Sequence, residues 1–288
     1  MGGKMNLFAI YELPFWSAFL IFILFSFIGW ISEVIYVGVT SAHKFVNRGF
    51  LHGPLCPVYG FGGVVILMLP PSLYATWIPL FFASMILCTI VEYFVSWLME
   101  KLFHTRWWDY SHYKIQLNGR ICLLNSILFG FLGVVVIHFV YPLMIDLLNS
   151  LGQKVINVSG VIILAVLSVD IFFTVRKLVD FANVMKKLKE LGETLNSHYG
   201  QEEWFKKGSF IDMINSVIER ADNRKEEFNQ KILEKIDKVQ NLHLPSVELF
   251  IKKFPSIKST KYKDELNMIK EKIHQKIEAA KKKDKQKN

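Results

Sequence analysis

Five apolar stretches of about twenty residues crowd into the first 175 positions, and nothing else restricts the chain so strongly. A run of that length crosses a ~30 Å hydrocarbon core as a helix, because every backbone N–H and C=O must find its partner inside the segment there. The runs are Phe15 to Val39, Pro54 to Tyr74, Trp77 to Met99, Ile121 to Tyr141 and Val155 to Val175. The first is longer than a signal-peptide core and has no basic n-region, so it is expected to be retained. The second contains Gly60, Gly62 and Gly63 and is interrupted by Pro70-Pro71, which leaves a re-entrant segment as the alternative to a complete span. The expected fold is all-α. Residues 1–178 form a polytopic helical membrane bundle of about five spans, and residues 179–288 a cytoplasmic, basic, helical or coiled-coil tail.

Charge is divided as unevenly as hydrophobicity. Residues 1–175 carry 8 Lys+Arg against 7 Asp+Glu, so nearly all of the net charge of +9 lies in the tail. Lys44, Arg48, Lys101, Arg106, Lys114 and Arg120 fall in the loops before spans two and four, on the side of the tail, whereas Lys4 and Lys154 fall opposite. With an odd number of spans, the positive-inside bias puts the N-terminus outside the cell membrane and the tail in the cytoplasm. Lysine-rich helices beside an anionic leaflet gain about 1 kcal/mol per basic residue, so the lipid bilayer accounts for the charge and no nucleic acid partner is expected. Three widely spaced cysteines, Cys56, Cys88 and Cys122, give neither a disulfide framework nor a zinc site.

Acidic residues inside the apolar runs supply the functional signal. A carboxylate there costs on the order of 3 kcal/mol and needs a partner, water or a proton. Glu33, Glu92 and Asp170 all lie in the cytoplasmic halves of their spans. Glu92, Ser96 and Glu100 recur at i, i+4 and i+8, and Asn118, Cys122 and Asn125 at i, i+4 and i+7, which predicts two polar stripes facing one cavity. Such groups can also serve only to fasten helices together. Their number at one depth favours a site, with Asp170 the weakest member.

The flanking loops add polar heads. Asn47, Arg48 and His52 stand in a Gly- and Pro-rich first loop, and Arg106, Asp109, Asn118 and Arg120 in the second. Arginine there can hold a phosphate or carboxylate bidentately or act only as a topology determinant, and both readings stay open. Trp107, Trp108 and Tyr110 are expected at the headgroup boundary. The candidate substrate-binding set is therefore Glu33, Asn47, Arg48, His52, Glu92, Arg106, Asp109, Asn118, Arg120 and Asn125, with no catalytic or metal-ligating residue assigned.

Several of these motifs, taken together, resemble a known family. They are Gly29-Trp30-x-x-Glu33, Asn47-Arg48-Gly49-Phe50-Leu51-x-Gly53-Pro54-x-Cys56-Pro57-x-Tyr59-Gly60, Glu92-Tyr93, Trp107-Trp108-Asp109-Tyr110 and Asn118-Gly119-Arg120-Ile121-Cys122-Leu123. Over roughly residues 15–178 they are similar to the bacterial membrane proteins of the putative ABC-transporter type IV (permease) family. The resemblance implies a transport permease and, with it, a separate ATPase subunit.

In the tail, Phe181, Val184, Leu188, Leu191 and Leu195 alternate at three and four residues, and Ile211, Ile214, Ile218, Ala221, Phe228, Ile232 and Val239 fit a second frame with Lys225 and Lys235 at core places. Tyr262, Leu266, Ile269, Ile273 and Ile277 continue an amphipathic stretch before a lysine-rich end. Self-association or docking of a partner through these helices is expected. No G-x-x-x-x-G-K-[ST] loop, metal spacing or catalytic triad occurs, so no cofactor is expected, and ATP-driven work would need another subunit. A permease-like component with a polar cavity open to the cytoplasm is the leading reading. An intramembrane enzyme for a lipid-linked or phosphorylated substrate and an anchored coiled-coil scaffold are the alternatives.

Overall fold

The computed structural model describes residues 9–38, 47–206, 208, 210–223, 230–240, 245–259, 261–271 and 273. Two compact units emerge. One comprises Met1–Met99 with Trp108–Arg176, and the other Glu100–Trp107 with Lys177–Asn288.

The first unit is built on α1 (Phe15–Val37), α2 (Pro57–Leu67), α3 (Pro71–Tyr74), α4 (Trp77–Phe103), α5 (Leu123–Val135), α6 (Tyr141–Leu151) and the beginning of α7 (Gln153–Tyr199). Among the described residues, four helices are long and apolar enough to cross a membrane: Phe15–Tyr36, Trp77–Phe103, Leu123–Leu151 and Gln153–Tyr199. The expected fifth spanning helix is corrected. At 11 residues, α2 is ~16 Å long, about half a hydrocarbon core. It stops because Pro71 has no N–H to donate and drives the residue before it out of helical geometry. Packing nonetheless carries this broken segment back along α1. Tyr59 lies on Gly29, Gly60 on Ser26 and Phe22, and Gly63 on Phe25, while Tyr74 reaches the electrostatic range of Tyr11 and Glu12.

On α4 the two faces separate cleanly. Leu80, Ser84, Cys88, Glu92 and Ser96 are buried at every fourth residue, and Ile78, Phe82, Ile86, Ile90 and Phe94 are exposed two residues out of step. Two residues rotate a helix by about 200°, so the inner stripe of small and polar groups is backed by an outer stripe suited to lipid. Thr89 Oγ1 donates to Ser126 Oγ on α5 at 2.8 Å, and Gly133 of α5 faces Ser84. Between α5 and α6, residues Val136–Val140 form a π turn immediately before Pro142. The wider turn accommodates a residue that cannot donate to the carbonyl four positions earlier.

The expected polar stripe of Asn118, Cys122 and Asn125 is also corrected, because α5 begins only at Leu123. Residues 116–122 instead form a hairpin, with β1 (Gln116–Leu117) antiparallel to β2 (Ile121–Cys122). Its turn holds Asn118 at φ 53° and Gly119 at φ 68°, and the Arg120 N–H donates to Leu117 O at 3.0 Å. Positive φ at both central residues is the type I′ geometry that Asn-Gly adopts with least strain.

In the second unit, Leu178, Phe181, Met185, Leu188, Leu191 and Leu195 of α7 are buried, as are residues of α8 (Phe210–Asn223), α9 (Gln230–Gln240) and α10 (Pro245–Lys253). Trp107 is only 2% exposed, packed against Phe181, Phe250 and Phe254. It belongs to this core, which corrects its expected place at a headgroup boundary. Lys4, Lys44, Lys225, Phe228 and Ile277 lie outside the described residues.

Two neighbouring glycines test the α1–α2 contact. A Cβ on Gly60 collides with Ser26 and Phe22, whereas one on Gly62 meets only Cys88 Sγ at an ordinary 3.7 Å. Gly60→Leu is expected to cost about 1–3 kcal/mol through overpacking. Gly62→Ala should leave thermal unfolding in detergent unchanged or slightly raised, because alanine favours helix. Equal effects from the two would refute this packing.

Candidate functional site

Two acidic networks meet at one end of the first unit. On α1, Glu33 Oε1 accepts a hydrogen bond of 2.7 Å from the Tyr59 hydroxyl, and Arg48 Nε lies 3.7 Å from Glu33 Oε2. On the inner stripe of α4, Glu92 is 8% exposed, and its Oε1 accepts from the Tyr110 hydroxyl at 3.1 Å. Asn125 Nδ2 on α5 donates to that hydroxyl at 2.7 Å, completing a relay from Asn125 through Tyr110 to Glu92. The two carboxyls lie within electrostatic range of each other. Burial, then the Glu92 carboxyl, pushes the Tyr110 hydroxyl well above its ordinary range, so Tyr110 remains a donor at any physiological pH. Glu92 Oε2 makes no hydrogen bond of its own among the described residues, and the Asn125 amide lies close enough to the carboxyl to act on it directly as well as through Tyr110.

Beside this centre, Tyr93 gathers the hairpin. Asn118 Nδ2 donates to its hydroxyl at 3.1 Å, and the Arg120 guanidinium lies 5.6 Å from its ring centroid, within cation–π range. Arg120 is itself buried, and its carbonyl accepts from Trp108 Nε1 at 3.0 Å. Asp109 turns inward on its own loop, where Oδ1 accepts from the N–H and hydroxyl of Ser111.

The first loop is tied down from two directions. Asn47 Oδ1 accepts from Trp30 Nε1 at 2.8 Å and from the Gly49 N–H at 2.9 Å, while its Nδ2 donates to His52 O at 3.1 Å. Those bonds make Asn47 a loop former. Asp170 on α7 receives the backbone N–H of His52 on Oδ1 and that of Gly53 on Oδ2, both at 2.8 Å. His52 Nδ1 lies 3.0 Å from Thr174 Oγ1. Asp170 is therefore a clamp on the loop.

With the geometry established, comparison with known proteins becomes informative. A family profile described as Putative ABC-transporter type IV matches residues 20–175, more than half of the chain. The chain belongs to the putative ABC-transporter type IV family. No curated protein and no solved structure shows significant similarity to it. The four long apolar helices and membership of this family place the protein in a membrane.

Within the putative ABC-transporter type IV segment, Glu92 and Asn125 share one network with Tyr110, and Glu33 and Arg48 share the adjoining one with Tyr59. Asn118 and Arg120 meet on Tyr93, Asn47 and Asp109 are engaged in their loops, and His52 is bound to Asp170 and Thr174 of α7. Arg106 is elsewhere. It belongs to the second unit, pairs with Glu100 at 2.7 Å and exchanges backbone hydrogen bonds with Lys258. Sequence reasoning missed Tyr59 and Tyr110 as partners of the acids and assigned Tyr110 to a lipid boundary. Their hydroxyls are what a buried carboxylate needs, and the preference of buried tyrosine for a polar partner was the available signal.

The clamp can be measured directly. Asp170→Ala removes the acceptor of two backbone donors and should cost about 1–3 kcal/mol in thermal unfolding in detergent. It should also expose residues 47–53 to limited proteolysis. A loop equally resistant in both proteins would contradict the role given to Asp170.

Proposed function

We propose that this chain is the permease-like membrane component of an ABC-type transport system. In this reading the Glu33/Glu92 centre lines a substrate path that opens to the cytoplasm. The observation that carries it is Glu92, a buried carboxyl on the inner face of a helix long enough to cross a membrane, with one oxygen held and the other without a partner. A half-satisfied carboxyl weakens a bundle that leucine or glutamine would stabilise, so its presence is best explained by use.

Counting the broken α2–α3 segment as a return crossing keeps the number of crossings odd, and the basic residues Arg48, Arg120, Arg176 and Lys177 then support a cytoplasmic opening, an external N-terminus and a cytoplasmic second unit. Because the sequence holds no phosphate-binding loop, energy would come from a separate ATPase subunit, and the second unit is the proposed platform for it. Connectivity makes that platform effective. The chain enters the second unit at Glu100, eight residues after Glu92, and leaves it at Trp107, three residues before Tyr110.

Purification from native membranes should bring down an ATPase. Vesicles containing that complex should accumulate a solute from cell extract when ATP is added, read by mass spectrometry. Glu92→Gln should assemble normally and lose at least about tenfold in flux, as expected for loss of an interaction worth about 1.4 kcal/mol in the transport cycle. Absence of any ATPase partner together with absence of flux would refute the permease reading.

A further inference from the structure

The partnerless oxygen of Glu92 points to a ligand, and its surroundings limit which ligand that can be. Facing Glu92 are Glu33 from α1, Tyr59 of α2 through the Tyr110 hydroxyl, Tyr110 itself, Asn125 of α5, and Cys88 one turn earlier on α4. None of these is a cation. The nearby Arg48 is engaged with Glu33. Arg120, the other guanidinium beside the centre, lies over the Tyr93 ring, so two carboxyls, one of them only 8% exposed, face each other with both neighbouring guanidinium groups engaged away from Glu92.

A metal ion suits this centre badly. Hard cations take six to eight oxygen lone pairs, or about six for a smaller ion. Here Tyr59, Tyr110 and Asn125 each spend a hydrogen on an oxygen of the same centre. No group of three or more His, Cys, Asp or Glu able to hold a metal occurs among the described residues. Glu92 is 8% exposed in this conformation, so a multi-atom solute on the proposed path would pass beside the carboxyl rather than bind Oε2. A proton needs no room, and it removes both the buried charge and the repulsion between the carboxyls.

We propose that Glu92 is an exchangeable proton site. A hydronium ion in adjoining water gives its proton to Oε2, its own O–H bond breaking as the carboxyl O–H forms, which leaves a neutral acid and a water molecule. The reverse transfer returns the proton to water, and no other bond changes. Tyr110 then has a positioning role, since its hydroxyl holds Oε1 and directs the proton to Oε2. The inference rests on the permease reading only for its consequence, which is that the transport cycle is proton-linked.

Dicyclohexylcarbodiimide is a suitable probe, because it reacts with protonated carboxyls in apolar surroundings. The full-length protein in phosphatidylcholine vesicles should be modified at Glu92 at neutral pH, as mapped by peptide mass spectrometry, and lose that modification at alkaline pH. Infrared spectra of the same vesicles should contain a carboxylic acid C=O band that moves in D2O. The band should vanish in Glu92→Gln, persist in Glu33→Gln and shift in Tyr110→Phe. A folded protein with neither labelling nor a band lost in Glu92→Gln would overturn the proposal. Labelling and band without ATP-driven flux would refute the permease reading alone, and flux without either would refute the proton site alone.

Discussion

Burying a carboxyl among membrane helices is expensive, and the arrangement of the first unit follows from how Glu92 meets that cost. Its α-helix satisfies its own backbone, so the side chain is the problem left to solve. Tyr110 supplies one hydrogen bond from a loop and Asn125 orients Tyr110 from α5, while Glu33 adds a second negative group nearby. Packing on the rest of the inner stripe of α4 is made close by Ser84 and Cys88, which meet glycines of α5 and α2. The helices can therefore converge around an acid without leaving it in lipid.

Loops hold the same end of this unit together. Asp170 binds two backbone amides of the first loop, and Asn118-Gly119 turns the hairpin that brings Arg120 over Tyr93. A carboxylate that accepts backbone N–H groups and an asparagine at positive φ are local, inexpensive devices. Together they position side chains that no single helix presents. The aromatic rings participate by their hydroxyls as much as by their area, as Tyr59, Tyr93 and Tyr110 each carry a hydrogen bond in the centre.

Much of the bundle was legible in the sequence because lipid imposes a length and a periodicity on any crossing helix. Four of the five apolar runs became long helices, and the acids at 33 and 92 were identifiable as costly from their surroundings alone. The failures have physical causes. Pro70-Pro71 marked the second run as interrupted, but hydropathy counts residues without locating where the helix stops, so a complete span was preferred to a broken segment. Helical spacing was extended through Asn118-Gly119, although that dipeptide is a strong hairpin signal. The bonds between Asp170 and His52-Gly53 join residues more than a hundred positions apart, and no local pattern announces them. Trp107 looked like a boundary residue because its partners Phe250 and Phe254 lie far along the chain.

The account depends on Glu92 and Tyr110 acting as one unit, and a double-mutant cycle on the unfolding free energy in detergent measures that most directly. Glu92→Gln, Tyr110→Phe and the double variant should show a coupling of roughly 0.5–3 kcal/mol, as side chains in one hydrogen-bonded network do. Additive effects, within about 0.3–0.5 kcal/mol, would mean that the two residues do not sense each other and that the centre described around Glu92 is absent.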